Sequence, residues 1–190
     1  SVHVAFNGNW KQPEGLAGLP HGHPNLTVDP VDFPVRCDEF HQYARHFRGT
    51  TDYVRYLDRR FRRTPWLRSR TESSLPKHRK NLAGLPWLPS SVVKMIRRFM
   101  VRHERLKIPS ARVVEEYFEK VDPDLFVVSP LVNVKSWQTD AVKSAKKLGI
   151  PTALCVASWD HLTTKGLIRV RPDKVFVWNP IQQREARRLH

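Results

Sequence analysis

The sequence predicts an α/β protein built on an open parallel sheet, and three observations carry that prediction. Residues 125–128, 152–157 and 174–178 are short apolar runs of strand length. Segments with apolar residues three and four apart separate or follow them. Gly149 and Pro151 stand between a helical stripe and the second run, where a C-cap glycine and a chain turn belong. The resulting order of strand, helix, strand, loop, strand, helix is the βαβ rhythm of a parallel sheet, most clearly over residues 111–190.

From the start of the chain, Val2, Val4 and Phe6 alternate against His3 and Ala5, and Asn7-Gly8-Asn9 supplies turn chemistry, so a strand is expected to begin at residue 1. A parallel interior strand is normally fed by a crossover helix, so this opening reads as the start of a fragment. Five prolines and three glycines in residues 11–35 forbid a long helix and predict a loop, with a short strand at residues 26–28. Phe40, Tyr43, Ala44 and Phe47 form one helical stripe. Tyr53, Val54, Leu57 and Phe61 form a second, with Thr50-Thr51-Asp52 as capping residues between two helices. Residues 64–89, with four prolines, read as loop. Ser90 or Ser91 is expected to cap a third helix with Val93, Ile96, Arg97 and Met100 on one side, ending before Pro109.

Ser110 then precedes Val113, Val114, Tyr117, Phe118 and Val121 at helix spacing, stopped by Asp122-Pro123. The run at 125–128 reads as a strand buried on both faces. A helix over 137–148 turns Ala141, Val142, Ala145 and Leu148 inward. After the third run, Asn179-Pro180 leads into a last helix with Ile181, Ala186 and Leu189 inward. The chain is thus read as one incomplete domain: strand and loop at 1–35, a basic helical insertion at 36–107, and a βαβ core at 108–190.

Charge is concentrated rather than spread. Of the 33 Lys/Arg and 18 Asp/Glu, residues 36–107 hold nineteen and six, a net +13, against −2 before and +4 after, which together make the overall +15. Such a segment attracts phosphates, anionic lipid headgroups or a charged substrate, or else is a solvated face. The two cysteines, Cys37 and Cys155, have no C-x-x-C spacing, and Cys155 in its apolar run reads as a buried free thiol of a reducing cytoplasm. No stretch approaches the ~20 apolar residues of a spanning helix. His21-Gly22-His23 lacks nearby Cys, Asp or Glu to complete a metal site, so no metal is expected. Neither G-x-S-x-G, a Walker A loop nor G-x-G-x-x-G occurs, which removes the usual sequence support for hydrolase, P-loop and dinucleotide chemistry.

Ligands of open parallel sheets bind beyond the carboxyl ends of the strands. The candidate binding residues are therefore Ser129 and Asn133 after the first run and Asn179 after the third. After the second run they are Ser158, Trp159, Asp160, His161, Thr163, Thr164 and Lys165. This last cluster offers an aromatic platform, a carboxylate, an imidazole, two hydroxyls and an ammonium, an inventory suited to a polyol or phosphate. Asp160 also has a plainer reading as the cap of a short turn through Thr163, and Trp159 as a cover for the sheet edge.

The stretches Pro123-Asp124-Leu125-Phe126-Val127-Val128, Leu148-Gly149-Ile150-Pro151-Thr152, Ser158-Trp159-Asp160-His161-Leu162-Thr163-Thr164-Lys165-Gly166 and Pro172-Asp173-Lys174-Val175-Phe176-Val177-Trp178-Asn179 resemble the amino-terminal domain of bacterial GT-B glycosyltransferase-like proteins. The resemblance covers the last 70 or so residues well and the helical middle poorly. It implies an incomplete Rossmann-like domain, with the acceptor side in this chain and the nucleotide-sugar donor held mainly by a second domain. No resident cofactor is implied, and no position matches the family's catalytic base. The implied protein is a cytoplasmic glycosyltransferase of cell-surface glycan or glycolipid synthesis. Its basic segment would lie at the inner face of the membrane over a lipid-linked acceptor. The competing expectation is a nucleic-acid-binding or non-catalytic interaction module, in which Tyr53, Tyr56, Phe61 and Trp66 stack bases among the arginines.

Overall fold

The computed structural model describes residues 1–5, 24–28 and 32–190, and the chain divides into two compact units, Ser1–Val35 and Arg36–His190. In the first unit β1 (Val2–Val4) and β2 (Leu26–Val28) pair in parallel, with Val2 opposite Leu26. The expected strands at 1–6 and 26–28 are thus present. Phe6, the Asn7-Gly8-Asn9 turn, most of the expected loop and His21-Gly22-His23 lie outside the described residues.

The second unit is mixed α/β around a small, open sheet. Its elements are α1 (Phe40–Arg55), α2 (Pro65–Glu72), α3 (Ser90–Lys107), α4 (Arg112–Val121), β3 (Phe126–Val128), α5 (Gln138–Lys147), β4 (Thr152–Cys155), α6 (His161–Thr164), β5 (Lys174–Phe176) and α7 (Pro180–Leu189). Three-residue and eight-residue 3-10 segments lie at Arg59–Phe61 and Lys77–Gly84. The strands are all parallel in the order β3-β4-β5, with Phe126 opposite Thr152 and Ala153 opposite Lys174.

The helix expected at 137–148 forms as α5 and closes as its sequence requires. Gly149 takes φ 76°, and the amides of Gly149 and Ile150 return to the carbonyls of Lys146 and Ala145. Ala141, Val142 and Ala145 are buried. Asp122, also at positive φ, ends α4 before Pro123. The core beneath the sheet gathers Val128, Val132, Val142, Leu154, Val156, Leu162 and Ile168. Each such side chain stabilises the fold by about 1.5–3 kcal/mol on burial.

Several expectations are corrected. Residues 40–55 form one helix, not two, because Thr50, Thr51 and Asp52 do not cap. The two hydroxyls donate to the carbonyls of His46 and Phe47 one turn back, and the Asp52 carboxylate accepts from amides far away in sequence. Residues 64–89 contain α2, since Pro65 sits in the first turn, where a missing N–H costs nothing. Ser90 is the first residue of α3 rather than its cap, and its hydroxyl donates to buried Asp58. Helix α4 starts where the stripe after Ser110 does, with Ala111 as its N-cap. In α7 Ile181 is exposed and Gln182 takes the inward position.

The sheet is covered on one face only among the described residues. Helix α5 packs on β3 and β4, while Val127 and Phe176 are 52% and 60% exposed and Cys155 opposite Phe176 is exposed as well. The expectation of a strand buried on both faces, and of Cys155 as a buried thiol, is therefore corrected. Helix α1 bonds to the loops at the strand ends, as described below.

His190 provides a pH handle on this fold. Its Nε2–H donates to the Leu162 carbonyl and its Nδ1 accepts from the Ile168 amide, which fixes the neutral tautomer. Burial, with Arg55 nearby, pushes its pKa well below 6.5. The folded state therefore resists a proton that the unfolded state takes up, so this contribution is complete above pH 6.5 and is lost as pH falls below it. Denaturant midpoints measured from pH 7.5 to 5 are expected to decline through this range, and His190→Gln to flatten the decline. A wild-type midpoint constant over that range would contradict the assignment.

Candidate functional site

Three loops leave the carboxyl ends of β3, β4 and β5, and backbone and side-chain hydrogen bonds tie them together. In the β3 loop, Gln138 accepts from the Leu131 amide and donates to the Ser129 carbonyl. The Gly166 amide donates to the Val132 carbonyl, joining this loop to the β4 loop at 2.6 Å. A Cβ on Gly166 would meet the carbonyl oxygens of Asn133 and Val132 at 2.9 and 3.0 Å, so the approach needs glycine. The β5 loop joins through Gln182, which donates to the Ser158 carbonyl and accepts from the Trp178 amide. The Trp178 indole donates to the Val156 carbonyl at 2.6 Å.

Helix α1 supplies the underside of this arrangement. The fully buried Arg55 guanidinium donates to the carbonyls of Leu162, Thr163, Lys165 and Gly166, and Tyr56 Oη to that of Lys165. Asp52 accepts from the amides of Lys135 and Leu167 and pairs with Arg169 at 2.5 Å. One turn earlier, Arg48 pairs with Asp140 at 2.6 Å and Glu104 at 2.9 Å, Arg36 joins Asp140, and Lys143 joins Glu104. Burial works to raise the Glu104 pKa, but Arg48 and Lys143 outweigh it and hold the carboxyl below its ordinary range. A small part of the basic charge of residues 36–107 is therefore internal: Arg36, Arg48 and Arg55 are buried there, as is Arg169 from the core segment, and each is held by carboxylates or carbonyls.

Within the β4 loop, Ser158 Oγ and Thr164 Oγ1 donate to the two oxygens of Asp160 at 2.8 Å each, and the amides of Thr163 and Thr164 donate to its carbonyl. Thr163 Oγ1 donates to the same carbonyl. Desolvation would raise the Asp160 pKa, but Ser158, Thr164, Lys165 and His161 together hold it low. Its carboxylate orders the turn and keeps further lone pairs for an incoming hydroxyl. His161 is half-buried; desolvation keeps its pKa below 6.5, and its Nδ1 is buried without a hydrogen-bond partner in the structure. Lys165 is half-buried, Asn179 caps α7 by accepting from the Gln182 amide, and Ser129 and Asn133 are exposed on the β3 loop. Trp159 and Trp178, by contrast, are 72% and 63% exposed; the Trp178 amide and indole N–H are both bonded, and Trp159 stands between Ser158 and Asp160, whose carbonyls accept hydrogen bonds.

Sequence reasoning places Gln182 with Asn179 after the third run, where the structure uses it to join two loops, but it missed Trp178 as a contributor, though that residue lies next to Asn179. It also missed Arg45, His46, Lys77, His78 and Lys135, which line a second cleft, of about 440 Å³. Their separation along the chain leaves no motif to read. Comparison with protein-family models, curated proteins and solved structures finds no match to this chain.

Proposed function

We propose that the chain is the acceptor-side half of a sugar-nucleotide-dependent glycosyltransferase, a Rossmann-like first domain in the GT-B manner. The observation that carries the reading is the pair of exposed indoles, Trp159 and Trp178, beyond the ends of adjacent parallel strands. An indole face held on ordered backbone offers apolar area to the C–H faces of a sugar ring without an ordering cost. Asp160, Thr163, Lys165 and Asn179 lie on the same two loops and can meet the hydroxyls. In the reaction, an acceptor hydroxyl forms a bond to the anomeric carbon of the donor as the bond to the nucleoside diphosphate breaks, and the hydroxyl proton passes to a base. The donor is assigned to a second domain.

The outer face of α3 supports a membrane-borne acceptor. Met95, Phe99 and Leu106 are exposed there among Lys94, Arg98, Arg102 and Arg105, the composition of a helix that rests on an anionic bilayer. No described helix is long and apolar enough to cross a membrane. The base-stacking alternative loses two of its four aromatics, because Tyr53 and Tyr56 are fully buried, while Trp66 is exposed.

Trp159→Ala and Trp178→Ala are each expected to weaken binding of an oligosaccharide acceptor about tenfold, the equivalent of about 1.4 kcal/mol. Calorimetric titration checks this. Anionic vesicles carrying the same oligosaccharide on a lipid are expected to bind more tightly, with Phe99→Asp removing only that increment. Saccharide affinity indifferent to both tryptophans would overturn the reading.

A further inference from the structure

The second cleft is lined by Gln42, Arg45 and His46 of α1, Ser74–His78, and Lys135 of the β3 loop. Its walls bring five cationic or protonatable side chains together without one carboxylate, and among the described residues none of the five forms an ion pair. This differs from the solvated basic faces elsewhere in the molecule, because Lys135 is held in place. Its amide donates to buried Asp52 at 3.0 Å, its backbone takes φ 60°, and its stem runs along Gly49. A Cβ on Gly49 would meet Lys135 Cε at 3.0 Å and the Ser74 carbonyl at 2.7 Å, so glycine there lets both walls close on the helix. The rings of His46 and His78 stand 6.0 Å apart across the opening.

Like charges gathered on ordered backbone raise their mutual repulsion until an anion joins them. Burial, then His78, Lys135, Arg45 and Arg79, push the His46 pKa below 6.5, and burial with Arg45 lowers that of Lys135 against the opposing pull of Asp52 beneath it. A cleft of this size takes a small molecule rather than a chain, and several converging cations suit more than one negative charge.

We propose that this cleft binds the phosphate groups of a phosphorylated small molecule, with Lys135 and Arg45 as the principal contacts and His46 and His78 as donors at its mouth. The ligand is a compound carrying a monophosphate or diphosphate. The assignment stands independently of the glycosyltransferase reading, since it uses neither tryptophan nor the β4 loop.

The probe is inorganic pyrophosphate, titrated by calorimetry into the whole chain at low ionic strength, with sulfate for comparison. Saturable binding is expected. Lys135→Met and Arg45→Gln should each weaken it about tenfold or more through loss of a charge-assisted contact. Lys120→Gln, a charge removed from the exposed end of α4, should change it less than about twofold. Affinity should rise as pH falls from 8 to 6, because the anion favours protonated His46 against the repulsion of His78, Lys135, Arg45 and Arg79. His78→Gln, at an exposed position, repeats the test if the half-buried Lys135 variant loses its fold. A second arm offers vesicles containing phosphatidic acid: tighter binding there, lost with Lys135→Met, would identify a lipid headgroup as the phosphate source. Binding that fails to saturate, or that Lys120→Gln weakens as much as Lys135→Met does, would overturn the site.

Discussion

Arg48→Met is expected to lower the unfolding free energy by about 3–5 kcal/mol, the cost of removing one partner from a buried ion network. The methionine fills similar volume, so the loss is electrostatic rather than a cavity. Asp140 and Glu104, both buried, would each lose the guanidinium that neutralises them, leaving Arg36 and Lys143 to carry the charge alone. Chemical denaturation of wild type and variant measures the difference. A single variant within about 1 kcal/mol of wild type would show that the network is not closed as described.

Asp52→Asn is expected to cost about 3 kcal/mol by the same physics and to act more locally. The amide keeps the shape of the carboxylate but loses the charge opposite Arg169, and its NH2 must face one of the amide donors of Lys135 or Leu167. Hydrogen exchange should therefore accelerate first at Lys135 and Leu167, ahead of the core of β4. Because Lys135 bears on the anion cleft and Leu167 follows the Trp159 loop, both binding activities should weaken in this one variant. Uniform acceleration across the unit, without a lead at those two amides, would refute the idea that Asp52 latches the loops.

The parts of the fold legible in the sequence are those whose signals are local. α4, β3, α5, β4 and α7 follow from helical stripes, apolar runs and the caps at Asp122, Gly149 and Asn179. The middle of the chain resisted reading because its residues have two uses each. Thr50, Thr51 and Asp52 have the chemistry of a helix cap, yet their side chains bond to carbonyls one turn back and to distant amides. An arginine in sequence reads as surface, and nothing local marks Arg48, Arg55 and Arg169 as internal. The apolar run 125–128 was read as doubly buried because periodicity cannot tell a covered face from an open one, and Val127 is exposed. At the site, the cluster from Ser158 to Lys165 was legible as a contiguous loop. The anion cleft was not, since Arg45, His78 and Lys135 meet only through the packing of α1 against two loops.

The most direct test of the acceptor reading is an 15N-resolved spectrum of the indole N–H signals, of which the six tryptophans supply one each, recorded during titration with an oligosaccharide. The account predicts that the signals of Trp159 and Trp178 move together, with a common saturation point, while that of Trp87, which stacks under Arg68, stays in place. Stationary Trp159 and Trp178 signals at a saccharide concentration that saturates binding would place the ligand elsewhere and contradict the account.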